Sequence, residues 1–284
     1  KYEQLLEWIE KNLNKKITVS ELSRKANCSE RYLRVIFKKN MGLTPSEYII
    51  KRKLTQAAFM LRETSRPVTD ISLMFGFEHQ TAFSRSFKKF TGKSPREYRL
   101  AEARDMKYFC PSKILKDVPC IVKFTNLNNI NLSIVRKRIL YLDFGLDFLI
   151  FKVNGLLMPR QDIHHMIQDF IFKYGDATEV IIYGDLSPGE GCDTILNIYA
   201  GIPVDSDSIE YDSISISEGD YICFTFTGTP EELMSYHAWA RGHGLSKYGV
   251  TLRNSSSLTC FRAGPEPGVF ICHYYIPCHL ERQT

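Results

Sequence analysis

The sequence predicts a multidomain chain: an all-α N-terminal domain of two helix-turn-helix units, then an α+β C-terminal domain of two strand-helix-strand-strand units. Three observations carry that expectation. The stretch FKKNMGLTPSEY at 37–48 returns as FKKFTGKSPREY at 87–98. Charge divides along the chain: residues 1–107 hold 23 Lys and Arg against 12 Asp and Glu, while residues 108–284 hold 14 against 20. Helical spacing of apolar residues fades near residue 100, after which β-rich runs alternate with two amphipathic helical stretches.

With 284 residues and 44% apolar content, the chain can build more than one core. It opens with KYEQLLEWIEKNL, an amphipathic helix without the apolar centre of a signal peptide. No run approaches the roughly 20 apolar residues that span a bilayer, so a soluble cytoplasmic protein without a membrane partner is expected. Cysteines stand at 28, 110, 120, 192, 223, 260, 272 and 278, none in a CxxC pair. They read as buried thiols, with no metal and no cofactor expected.

The repeat pairs Val19 with Val68, Leu22 with Ile71, Leu33 with Phe83, Phe37 with Phe87, Gly42 with Gly92, Pro45 with Pro95 and Tyr48 with Tyr98. Each unit reads as a short helix (TVSELSRKA; VTDISLMF), a break at Asn27-Cys28 or Gly76-Phe77, and a second helix ending at glycine. In the first unit Leu33 and Phe37 form the inward stripe, leaving Arg31, Arg34, Val35 and Lys38 outward. In the second, Phe83, Phe87 and Phe90 face inward, leaving Gln80, Thr81, Ser84, Arg85 and Lys88 outward. A merely solvated helix would mix Glu with Lys at i,i+4 spacing. These faces carry cations and neutral donors instead, with acid only near the helix starts. Arg, Gln and Thr suit base edges, and Lys38, Lys39, Lys88 and Lys89 suit phosphates.

Between the units, residues 46–63 contain no Gly or Pro and read as one stiff helix of about 27 Å. That length can place two reading helices in successive major-groove segments on one face of double-stranded DNA.

The stretch KLTQAAFMLRETSRPVTDISLMFGFEHQTAFSRSFKKFTGKSPREYR resembles the signature of the AraC/XylS family of bacterial transcription regulators. The resemblance implies a seven-helix, two-headed DNA-binding domain over residues 1–107, which usually activates transcription by recruiting RNA polymerase. It places base contacts on Arg31, Arg34 and Val35 in the first head, and on Gln80, Thr81 and Arg85 in the second.

Residues 108–130 read as a linker passing into a first strand. Within 131–284 come a helix at 159–175, the strands EVIIYGDL and DTILNIYAGIPV, an acidic connection, the strand EGDYICFTFTG, a helix at 230–244, and strands around SLTCF and GVFICHYYIPC. This region resembles the GyrI-like effector-binding domain, which implies a small-molecule effector. Tyr221, Tyr236, Trp239, Phe261, His273 and Tyr275 are the candidates to line its pocket, because aromatic rings with polar tips favour clefts.

One enzymatic alternative is a Cys-dependent DNA alkyltransferase. IPCHLE at 276–281 resembles its Pro-Cys-His-Arg acceptor, but Leu280 stands where Arg belongs. Cys272 and Cys278 on one strand lie about 20 Å apart, too far to share a metal ion. No GxSxG or HExxH is present.

Overall fold

The computed structural model describes residues 2–114, 118, 120–142, 169, 173, 179–188, 194–205 and 212–280. Seven helices come first: α1 Tyr2–Lys11, α2 Val19–Ala26, α3 Glu30–Met41, α4 Pro45–Glu63, α5 Val68–Met74, α6 Gln80–Thr91 and α7 Pro95–Leu100. Their ends follow from local chemistry. Thr18, Ser29, Thr44 and Ser94 each accept a backbone N–H three residues on, and at Thr44 and Ser94 a glutamate returns the bond to complete a capping box. Gly42 and Gly92 end α3 and α6 at φ 70° and 79°, a left-handed conformation that glycine adopts without strain. The repeated stretch therefore encodes the stop of one helix and the start of the next.

Leu5, Leu6, Ile9, Leu22, Leu33, Phe37, Tyr48 and Ile49 form the core of the first unit. A charged group lies inside it. Arg52 donates from Nε and Nη2 to the two Glu10 carboxylate oxygens at 2.9 and 2.7 Å and from Nη1 to the Cys110 carbonyl at 2.7 Å, and the Tyr48 hydroxyl donates to Glu10 at 2.8 Å. Burial alone would lower the guanidinium pKa, but the Glu10 carboxylate overrides it and holds Arg52 above its ordinary value.

Among the described residues ten strands follow: β1 Ala103–Asp105, β2 Ile121–Leu127, β3 Ile130–Leu142, β4 Val180–Pro188, β5 Thr194–Val204, β6 Ser213–Ile216, β7 Gly219–Gly228, β8 Thr251–Arg253, β9 Ser257–Ala263 and β10 Phe270–His279. They form one sheet in the order β1-β8-β10-β9-β4-β5-β3-β6, with β7 on β10 and β2 on β7. Every register given is antiparallel, and β10 is the hub, pairing β9, β7 and β8. Helix α8, Pro230–Trp239, leads through a π-helical turn at Ala240–Gly244 into α9, Leu245–Tyr248.

The β7-α8-β9-β10 and β4-β5 segments follow the expected α+β order, while the helix expected at 159–175 falls almost wholly outside the described residues. The division at 107 and the linker at 108–130 need correction. Strand β1, assigned to the helical half, pairs with β8 through Ala103↔Arg253, and β2 inside the supposed linker pairs with β7 along its whole length. Residues 109–113 run along α4: Phe109 meets Phe59 edge-on, the Cys110 N–H donates to Thr55 at 3.0 Å, and the Lys113 N–H donates to the Tyr48 hydroxyl at 3.3 Å. Three residues are too few to register as a strand before a partner is known, and β2 has no fully buried position, so no buried apolar stripe marks it.

The two halves share one apolar cluster. Leu54, Ala57, Leu61, Ile71, Phe83 and Phe87 of the second unit and its spacer helix belong to the same cluster as Val180, Phe224, Phe261 and Ile276 of the sheet. Polar ties reinforce it: Arg62 donates to the Ala101 carbonyl at 2.8 Å and to Asn254 at 2.7 Å, and Arg104 pairs with Glu63 at 3.4 Å.

Candidate nucleic-acid interface

The sequence dictates which sides of α3 and α6 are presented. Leu33 and Phe37, four residues apart, are buried, as are Phe83 and Phe87. Arg31, Arg34, Val35, Lys38 and Lys39 are exposed on α3, and Gln80, Thr81, Arg85, Lys88 and Lys89 on α6. Val35 leaves 57% of its surface in water, which suits contact with a thymine methyl.

The electrostatics of the two faces differ in one respect. Arg34 pairs with Glu30 across one helical turn at 3.2 Å, with both side chains largely exposed. Such pairs are worth little, so a phosphate or guanine edge can displace the carboxylate. Arg85 forms no ion pair among the described residues, so a salt bridge within the domain does not occupy it there. Capping carboxylates Glu47 and Glu97 have pKa values held below the ordinary range, first by the Thr44 and Ser94 backbone N–H groups and then in part by Lys38 and Lys88. These acids belong to the starts of α4 and α7, the helices that follow α3 and α6.

Tyr32 escapes sequence reasoning. It sits beside Arg31 on α3 with 57% of its surface exposed, and the only sequence signal is that a helical period anchored on Leu33 and Phe37 turns position 32 outward.

The six aromatic residues expected to line a pocket do not come together. Tyr236 stacks on Phe226 at 4.8 Å between centroids, Trp239 meets Phe224 edge-on at 6.1 Å, and Phe261 lies near His237 of α8. These three fill the layer between α8 and the sheet. Strand alternation turns Tyr221, His273 and Tyr275 to the opposite face. There Tyr221 and Tyr275 meet edge-on, and His273 Nδ1 lies 2.9 Å from the Thr225 hydroxyl. Burial, with Arg262 beside it, keeps the His273 pKa below its ordinary value.

Cys278 is fully buried, and burial pushes its thiol up to about 11. Such a thiol holds almost no nucleophilic thiolate at neutral pH.

Comparison with known proteins fits the helical part of the chain. A family model described as a helix-turn-helix domain matches residues 22–101. The putative HTH-type transcriptional regulator YkgA of Escherichia coli is 40% identical over 114 residues, 40% of this chain and 48% of YkgA. The match thus spans about half of that relative. The HTH-type transcriptional activator AarP of Providencia stuartii is 33% identical over 99 residues, covering 35% of this chain and 73% of AarP. The multiple antibiotic resistance protein MarA of Salmonella typhimurium is 32% identical over 108 residues, covering 38% of this chain and 85% of MarA. With two relatives about one-third identical and matched over most of their own lengths, the chain belongs to the AraC/XylS family of transcription regulators.

Proposed function

We propose that the chain is a sequence-specific DNA-binding transcription regulator that reads two successive major-groove segments with α3 and α6. One observation carries the reading: two helices on one scaffold present cationic, donor-rich faces, with Arg85 unoccupied by any carboxylate among the described residues. Arg31, Arg34, Val35, Gln80, Thr81 and Arg85 contact bases in this reading, and Lys38, Lys39, Lys88 and Lys89 contact phosphates. AarP is named a transcriptional activator, which supports activation as the direction of control, with RNA polymerase as the partner in this reading.

The sheet half modulates this activity through a small molecule of the GyrI-like kind. The half-buried His273 and Tyr275 support that part best, because Trp239 and Phe261 are committed to packing under α8 and Tyr221 is fully buried in the core on the other face. An alkyl-transferring enzyme finds no support in the relatives or in the buried Cys278 thiol.

Selection of genomic DNA fragments by the full chain tests the reading. A single asymmetric motif with two recognised blocks about one helical turn apart is expected. Absence of any enriched motif would overturn it.

A further inference from the structure

The two units touch each other directly. The turn at residues 14–16, which precedes α2, meets the turn at residues 75–78, which leads straight into α6. Lys53, nearly buried in the middle of α4, reaches between them: its ammonium donates to the Lys15 carbonyl at 2.7 Å and to the Phe75 carbonyl at 2.8 Å. One cation thus holds one backbone oxygen from each unit. Gly76 completes the contact. At φ 71°, a side chain there would put its Cβ 3.2 Å from the Asn14 oxygen and the Lys15 carbonyl carbon, so the backbones approach this closely because position 76 carries none. On the exposed rim Lys16 pairs with Glu78 at 2.9 Å.

No carboxylate within ion-pair distance answers the Lys53 charge among the described residues, and burial lowers its pKa to about 8. A buried charge of this kind is a poor device for stability alone, since an apolar side chain of similar length would avoid the desolvation cost. Its two acceptors come from separate units, so what it supplies is geometry.

We propose that Lys53 is a positioning residue that fixes the separation and rotation of α6 relative to α3, and thereby the spacing between the two DNA blocks the chain accepts. This rests on α3 and α6 being the two reading helices. Moving one block by a single base pair shifts it by about 3.4 Å and rotates it by about 34° around the duplex. A clamped pair of helices rejects that displacement, whereas a released pair tolerates it.

The test is binding selection by the full chain on a library in which the two enriched blocks are held constant and their spacing varies by up to two base pairs either way. Wild type is expected to disfavour a one-base-pair change by about tenfold, the size of a mismatch penalty. Lys53→Met is expected to reduce this to about threefold or less while choosing the same bases within each block. Gly76→Ala, which keeps the ammonium but forces the turns apart, is expected to move the preferred spacing, and it serves where Lys53→Met fails to fold by circular dichroism. Folded Lys53→Met and Gly76→Ala chains with the wild-type spacing profile would overturn the proposal. So would a wild-type chain that enriches both blocks without preferring a spacing. A wild-type chain that enriches no motif would instead bring down the DNA-reading function on which the proposal stands.

Discussion

Arg85 and Lys88 stand three residues apart on one helix, yet their chemistry separates what each contributes. A planar guanidinium matches the two acceptors of a guanine edge, whereas an ammonium is a point charge for phosphate. Arg85→Ala is expected to weaken binding to the selected motif by about 1–3 kcal/mol and binding to random DNA little, as measured by titration of both duplexes. Lys88→Ala is expected to weaken both alike and to reduce the slope of log affinity against log salt by about 1. An equal loss on both duplexes for Arg85→Ala would assign it to the backbone. Deep in the first unit, Glu10→Gln would leave the fully buried Arg52 without its anion; urea unfolding should show a loss of about 3–5 kcal/mol. The exposed faces of α3 and α6 were legible in the sequence because neighbours on a helix recur at three and four residues. The Glu10–Arg52 pair was not, because its members lie 42 positions apart and each looks like an ordinary surface charge. Lys53 was hidden in the same way, in a run of KRK that a composition count assigns to solvent.

Helix α4 shows how an element acquires its role from what surrounds it. Good helix formers make it continuous, but the burial of Arg52, Lys53, Thr55 and Gln56 comes from the units and from residues 109–113 packed around it. Its start is local: Thr44→Ala should lower stability by about 1 kcal/mol through loss of the capping box, measurable as a shift in denaturant midpoint. Helix α8 carries a pH dependence. His237 lies against Tyr274 at 4.3 Å, within reach of Thr259 and Cys272, and burial, with Arg241 beside it, drives its pKa down to about 3. The unfolded chain takes up that proton near pH 6.5, before the folded one does. Stability from this site is therefore complete above that pH and is lost as pH falls toward 3. His237→Asn should flatten the acid limb of the unfolding profile between those values, and an unchanged limb would place the acid sensitivity elsewhere. The paired helices of the N-terminal half were legible with their glycine stops, since helical periodicity and a terminal glycine are local signals. Strands β1 and β2 were not, because each gains its identity from a partner about 100 or more positions away.

At the scale of the whole molecule, the second unit does not own its core. Its apolar residues and those of the sheet close on one another, so residues 2–101 in isolation should melt at a lower temperature than the full chain and bind a dye for exposed apolar surface. The first unit is also borrowed from, since Cys110 and Ile114 pack into its core from beyond the second unit. These dependencies run against the direction of synthesis. A ribosome completes α6 at Thr91, but the cluster that supports it includes Ile276 and Cys278. Synthesis must therefore pass residue 278 before α6 has the whole of the cluster it packs against.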